Sequence, residues 1–388
     1  MSKWEKVKLG EIGVIITGNT PKTSDKENYS SKDISFYKPS DIAENNVSYL
    51  NISEAYVSEV ARSKVRILPK GSILVTCIGI IGKIGILEHE ATCNQQINAI
   101  IPDQDICLNR YIAYSIFYNR DKLRDIANAP VVPIVNKTQF SNMIIPLPPL
   151  EEQRRIADIL DKASNLIALR KQQLEKMDLL IKSKFIDMFG DSVTNLKGWE
   201  KGTIRDVVSD VKYGTSAPSA ENGKYIYLRM NNITYDGHLD LSSIKNINVS
   251  DNEFEKYVVR KGDILFNRTN SKELVGKTCV FKEDIDMIIA GYIIRVRANE
   301  KANAEYLSAV LNSKYGKNTL FDMCKAIVGQ ANINAQELQN IKILIPPIEL
   351  QNQFAEFVEK VEKQKAVMQK SLEKMEMNYK ALMQEYFG

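Results

Sequence analysis

The feature that most constrains this chain is a segment written twice. Pro148 to Gly190 reads PPLEEQRRIADILDKASNLIALRKQQLEKMDLLIKSKFIDMFG and Pro346 to Gly388 reads PPIELQNQFAEFVEKVEKQKAVMQKSLEKMEMNYKALMQEYFG, at a constant offset of 198 residues without a gap. Gln153 falls on Gln351, and Phe189-Gly190 falls on Phe387-Gly388. Each copy predicts one long helix with its own start and stop. The Pro pair cannot sit inside a helix, Glu151 and Glu152 suit the positive end of one, and the terminal Gly permits a left-handed cap.

In the first copy Leu160, Ile167, Leu174, Ile181 and Met188 recur every seven residues, and in the second Val361, Met368, Met375 and Leu382 do so on the other seam position. Arg170, Lys184 and Lys365 interrupt the complementary positions. Because neither stripe is complete alone, the expectation is that the two helices pair as an antiparallel coiled coil. The plainer alternative packs each helix on its own globular neighbour. A helix of about 38 residues would span roughly 57 Å, about 17 base pairs of duplex DNA.

The globular parts are duplicated too. WEKVKLGEIGVIITGNTP after Trp4 returns as WEKGTIRDVVSDVKYGTSAP after Trp199, Tyr37 to Ile42 matches Leu228 to Ile233, and Lys70-Gly71 before SILVT matches Lys261-Gly262 before DILFN. Gly82-Lys83 matches Gly276-Lys277, Tyr111 matches Tyr306, and Asn136 matches Asn334. Short β-branched runs (72–77, 84–87, 264–267 and 288–296) predict strands, whereas 108–124 and 305–318 predict helices. The expected fold is therefore α+β with a pseudo-two-fold internal repeat. A β-rich mixed domain at 1–147 precedes a long helix at 148–190 and a linker at 191–198; a second such domain at 199–345 precedes the distal helix at 346–388.

No apolar run approaches the roughly 20 residues that span a bilayer, and the opening MSKWEKVKLG lacks the apolar core of a signal peptide, so a cytoplasmic location with no membrane association is expected. Five scattered cysteines without a C-x-x-C pair suggest reduced, buried thiols. The net charge of +4 neither demands nor forbids a nucleic-acid partner. His89 and His238, the two histidines, have no Cys or carboxylate at metal-ligand spacing in the sequence, so no metal site is expected. No Walker A run or dinucleotide turn is present. Gly79-Ile-Ile-Gly-Lys83 lacks the spacer and the Ser/Thr of a P-loop and is expected to be a tight turn.

Two divergent domains that open W-x-x-x-x-L/I-x-E/D, followed by I-P-L-P-P-L-E-E-Q-R-R-I-A and a long helix, resemble the specificity subunit of type I restriction-modification systems. The residues that carry the resemblance are Trp4, Leu9, Glu11, Gly18, Pro21 and Ile145 to Ile159, then Trp199, Ile204, Asp206, Gly214 and Ile345 to Gln353. The second Pro-Pro run departs by losing the Arg pair. The resemblance implies two target recognition domains, each reading half of a split sequence in double-stranded DNA, and helices that set the gap and dock two methyltransferase subunits. It also implies no catalysis and no cofactor in this chain. S-adenosylmethionine is expected only in the methyltransferase partner, and ATP only in the restriction subunit that joins through the complex. A stand-alone two-site DNA-binding adaptor or repressor is the alternative.

Base reading needs forked donors: Arg or Lys to guanine, Asn or Gln to adenine. In the second domain the candidates are Arg229, Asn231 and Asn232 in one loop, and Asn267, Arg268, Asn270 and Lys272 in another that ends at Lys277. The equivalent loop of the first domain, CIGIIGKIG, leaves Lys83 as its only charged donor, so Lys38, Arg62, Lys64, Gln95 and Gln96 are added there. Gln330 and Asn332 in AIVGQANIN, and Asn136 and Lys137 in APVVPIVNK, could serve either reading or structure.

Overall fold

A computed structural model describes residues 4–127, 132–324 and 330–388. By contacts the chain divides into two units, one of residues 1–172 with 370–388 and the other of residues 173–369. Each unit thus holds one globular domain, the first half of the helix that follows that domain, and the last half of the other long helix.

The helix signals act where they stand in the sequence. Helices run Leu150–Phe189 and Ile348–Phe387, each 40 residues long. The first ends where Gly190 takes φ +78°, its N–H returning to the Ile186 carbonyl at 2.8 Å. The linker that follows is a closed turn. Asp191 accepts from Val193 N at 2.7 Å, Asn195 exchanges two bonds of 2.9 Å with the Trp199 backbone, and the Trp199 indole donates to the Phe189 carbonyl at 2.9 Å.

Within each unit the two helix segments run antiparallel. In the first unit the Arg155 guanidinium lies over Tyr386 and Lys171 pairs with Glu376 at 2.7 Å, so one number falls as the other rises. Ile156, Leu160, Met383 and Phe387 enter one core there with the domain's Tyr111. In the second unit Asp178 pairs with Lys365, and Phe185 and Phe189 meet Phe354 at 5.7 and 5.5 Å. Among the seam residues Leu160 and Val361 are buried, whereas Ile167, Leu174, Ile181, Met368, Met375 and Leu382 are half-buried. The helices also pack on the domains: Phe189 stands edge-on to Tyr306 at 4.7 Å and Phe387 lies 5.4 Å from Tyr111. Mutual pairing and packing on a globular neighbour therefore coexist.

The two domains share a plan. In the first, a sheet runs Gly13–Thr17, Ile97–Pro102, Ile73–Thr76, Ile84–Leu87 and Val47–Leu50. In the second, Val208–Tyr213, Ile293–Ala298, Ile264–Asn267 and Thr278–Val280 repeat its first four strands. A second sheet centres on Ile34–Tyr37 in one domain and Tyr225–Leu228 in the other. Three expected elements are divided. Residues 288–296 form two strands, Met287–Ile289 and Ile293–Ala298, around a turn at Gly291. The helix at 108–124 breaks at Asn119, and that at 305–318 breaks at Ser313, whose hydroxyl caps the following turn through Gly316 N at 3.1 Å.

The join from domain to helix is identical in both repeats. Gln153, fully buried, accepts from Leu108 N at 2.8 Å and donates to the Ile106 and Pro148 carbonyls at 3.0 and 2.7 Å. Gln351 does the same with Asn303 N, Lys301 O and Pro346 O at 2.9, 3.1 and 2.8 Å. The Tyr111 hydroxyl donates to Pro146 O at 2.9 Å and that of Tyr306 to Leu344 O at 2.8 Å. Asn136 and Asn334 each cap a short helix, accepting at 2.9 Å from Gln139 N and Glu337 N. These side chains pair with main-chain groups of the joins that would otherwise lack a partner.

Candidate nucleic-acid interface

Where the two sheets meet, both domains use one set of backbone bonds. In the first, Gly18 N donates to Ile97 O, Asn19 N to Cys93 O, Cys77 N to Gln96 O and Val135 N to Cys77 O, at 2.8–2.9 Å. In the second, Gly214 N donates to Ile293 O, Thr215 N to Ile289 O, Arg268 N to Tyr292 O and Ile333 N to Arg268 O, at 2.9–3.1 Å. A Cβ on Gly18 would stand 2.3 Å from Asn94 O, and one on Gly214 2.2 Å from Ile289 O, so the close crossing requires glycine in both. Thr17, Cys77 and Gln96 in one domain therefore occupy the places of Tyr213, Arg268 and Tyr292 in the other.

In the second domain Arg268 lies with its guanidinium 4.9 Å from the Tyr213 ring centroid, and Nη1 stands 3.5 Å from Gly291 O. Its Nε is buried without a hydrogen-bond partner. Tyr213 is 41% exposed and Tyr292 54% exposed, which puts the Arg268 fork beside open aromatic surface. Thr269–Asn270 pairs with Ala331–Asn332 as a short ribbon, the Thr269 hydroxyl donating to Asn332 Oδ1 at 3.0 Å. Lys272 is exposed, with its ammonium 3.9 Å from the Phe321 ring centroid, and Asn231 is exposed. Arg229 is half-buried and donates to Ser243 O at 3.1 Å.

Three candidates of this domain are committed to the fold instead, which corrects their assignment as DNA contacts. Asn232 is 1% exposed, accepts from Arg229 N at 2.9 Å and donates to Asp240 O and Ser243 O. Asn267 is wholly buried at the end of its strand, its Oδ1 facing Asn270 Nδ2 at 3.4 Å, and cannot reach a base edge. Lys277, 8% exposed, donates to Met230 O at 2.8 Å, and burial holds its ammonium below the usual lysine range.

The first domain repeats that strut: Lys83 donates to Pro39 O at 3.0 Å, so it too serves the fold. The glycines beside it, Gly79 at φ +76° and Gly82 at φ +85°, make the expected tight turn. Arg62 is bound to Glu59 at 2.5 Å and Glu90 at 2.7 Å, and Lys64 to Asp25 at 2.7 Å, which neutralises both cations where they stand. Lys38 is exposed, its ammonium 5.8 Å from the Phe36 ring centroid. Gln95 is exposed and accepts from the Thr20 hydroxyl at 2.6 Å, and half-buried Gln96 accepts from Asn94 Nδ2 at 2.8 Å. Asn136 caps a helix, whereas Gln330 and Lys137 are exposed. Parts of both AIVGQANIN and APVVPIVNK lie outside the described residues. The sequence reading missed Tyr213 and Tyr292. The signal for Tyr213 was present in the aligned Gly18 and Gly214, each preceded by a residue that differs between copies.

Cysteines and histidines add no reactive centre among the described residues. All five cysteines are free and buried, and burial pushes the Cys77, Cys93 and Cys279 thiols up to about 12. Folding does bring His238 within 4.8 Å of Asp178 and Glu362, which its sequence surroundings did not suggest. The Lys365 ammonium, paired with Asp178, stands 3.4 Å from both His238 Nε2 and Glu362 Oε1, and so supplies the cation of that cluster itself. His89 Nε2 hydrogen-bonds Ser35 Oγ at 2.9 Å. No helix among the described residues is long and apolar enough to cross a membrane.

Comparison with known proteins places this arrangement. Residues 1–178 and 196–377 match the type I restriction modification DNA specificity domain. A specificity subunit of Methanocaldococcus jannaschii, MjaIX, is 32% identical over 254 residues, covering 59% of this chain and 58% of the relative. The MjaVIII subunit of the same organism is 27% identical over 404 residues, covering 98% of this chain and 91% of the relative. The EcoKI specificity subunit of Escherichia coli is 25% identical, and the match spans 55% of its length. In fold the chain is similar to the S subunit from M. genitalium, with a TM-score of 0.62, 13% identity and coverage of 100% of this chain and 96% of that one. With both repeats matched by the family's domain, the chain belongs to the type I restriction-modification DNA specificity family.

Proposed function

We propose that this chain is the DNA-reading component of a type I restriction-modification complex. It recognises an asymmetric bipartite double-stranded target with one domain per half-site, and its long helices carry two methyltransferase subunits. The observation that supports this reading best is the common backbone frame on which the domains carry different side chains: Thr17, Cys77 and Gln96 against Tyr213, Arg268 and Tyr292. One docking geometry with two chemistries is what a reader of two unlike half-sites requires.

The helices offer surface for protein partners, since Leu166, Leu169, Leu179 and Ile186 of the first are 54–61% exposed and Val367 of the second is 70% exposed. Methylation, with S-adenosylmethionine, belongs on this reading to the methyltransferase subunits and ATP-driven cleavage to restriction subunits, leaving this chain non-catalytic. The test is to map methylated bases across the source genome with and without the gene. Loss of one split motif on deletion is the expected result. An unchanged methylome, together with tight DNA binding by the isolated chain, would favour a stand-alone adaptor or repressor.

A further inference from the structure

We infer that Arg268 reads a guanine in the half-site of the second domain, with Tyr213 as the residue that positions it. This rests on the proposed reading of a split DNA target and names the base chemistry of one part of it. The first argument is how other arginines of the domain are used. Arg260 is committed to Glu255 at 2.7 Å, Arg297 to Asp263 at 2.8 Å and Arg295 to Asp210 at 2.7 Å. Arg205 is committed to the Gln336 and Asn340 side chains at 2.9 and 3.1 Å. Among the described residues Arg268 has no carboxylate partner, a state it shares with Arg229, which donates to Ser243 O at 3.1 Å; of the two, Arg268 stands at the centre of the backbone frame common to both domains. Among the described residues the only hydrogen bond of its side chain is the 3.5 Å approach to Gly291 O, and its Nε is buried without a partner. The buried Nε carries a desolvation cost, while the Nη groups are left unspent by the fold and free to fork onto a ligand.

The second argument is preorganisation. The Arg268 backbone is pinned on both sides, by Tyr292 O and by Ile333 N, each at 2.9 Å. Its guanidinium carbon stands over the Tyr213 ring at 4.9 Å from the centroid, and the Tyr213 hydroxyl is held by Ala335 N at 2.8 Å. A cation–π contact with an aromatic face restrains the guanidinium while leaving its outer N–H groups available. A fork fixed in this way matches the O6 and N7 acceptors of guanine in the major groove.

The third argument is the contrast with the first domain. At the place of Arg268 the same backbone bonds hold Cys77, 2% exposed, and at the place of Tyr213 they hold Thr17, whose hydroxyl donates to Asn98 Oδ1 at 2.7 Å. A buried thiol offers no fork, so the first half-site is not read by a charged donor from this position. The frame is common, and the residue at its centre carries the difference.

The experiment uses the full chain assembled with its cognate methyltransferase subunit, assayed on duplexes in which each position of the split target is varied in turn. The unaltered chain defines the motif. Arg268→Ala is expected to relax one guanine of one half-site to any base, with discrimination there falling roughly ten- to hundredfold and the other half unchanged. Arg268→Lys, which keeps charge and length, is expected to lose most of the same discrimination. Tyr213→Phe keeps the ring and should retain it, whereas Tyr213→Ala should lose it. A motif that survives Arg268→Ala unchanged overturns the assignment while leaving the split-target reading intact. Equal weakening at every position, with Arg268→Lys as good as the parent, also overturns it, by making Arg268 a phosphate contact. Absence of any split motif with the unaltered chain overturns both.

Discussion

At the residue scale the polar side chains divide into those that complete the fold and those left for a ligand. Gln153 and Gln351 belong to the first kind, each meeting three backbone groups from a fully buried position. Replacing Gln351 by Leu strands those three groups, and a loss of about 3 kcal/mol is expected, read as a lower urea midpoint with an unchanged slope. Lys317 is a second case. Burial, then the neighbouring Lys277, lowers its amine to about 8, and it stands 3.2 Å from Gly276 O and 5.0 Å from the Tyr235 ring centroid. Because the folded value is depressed, holding the ammonium costs stability below pH 8, and that cost fades as the pH rises toward about 10.4, the unfolded value. Lys317→Met should accordingly raise stability by about 1–2 kcal/mol at pH 7 and by little at pH 10.5, measured by urea unfolding at both. Neither role was legible in the chain. A lysine serving a carbonyl of its own domain reads like one serving phosphate, and a buried asparagine like an exposed one. One comparison would have helped: Lys83 and Lys277 recur at the same place in domains that otherwise differ, which marks them as framework.

At the element scale the long helices were legible almost to the residue, because proline and glycine act through backbone geometry that tertiary packing cannot override. Where expectation and structure part, the cause is an apolar run that continues through a turn. Residues 288–296 read as one strand, yet the chain reverses at Gly291, and helix signals on either side of Asn119 and Ser313 read as continuous. The polar interruption of the seam also acquires a role. Lys365, 13% exposed at its side chain, meets Asp178 across the helix pair with Glu362 and His238 around it. A charge paired across an apolar seam favours one register, because a slip would part Lys365 from Asp178. Asp178→Ala should cost about 1–2 kcal/mol, limited by the remaining Glu362 and by partial exposure. The double replacement Asp178→Leu with Lys365→Leu should restore or exceed parental stability, and thermal unfolding of the three chains separates the two effects. If Asp178→Ala were neutral, the pair would have no part in holding the seam.

At the scale of the whole molecule the duplication sets what can be exchanged. The clamp that joins each domain to its following helix is the same in both repeats: a buried Gln, a Tyr hydroxyl on the carbonyl two residues before the Pro pair, and an Asn-capped turn upstream. Each clamp closes inside its own unit. A foreign domain of the same family that keeps these residues should therefore fit between Trp199 and Ile345 without disturbing the first unit. On the proposed function such a chimera should change one half of the methylated motif completely and leave the other half identical. Methylome sequencing of a host that expresses the chimera with its methyltransferase subunit reads both halves at once. A change in both halves would mean that base reading is shared between the domains and would defeat the one-domain, one-half-site account. A change in neither would move recognition off the domains altogether. The single substitution Arg268→Ala should reproduce a subset of the chimera's effect, confined to the same half, so the two experiments constrain each other.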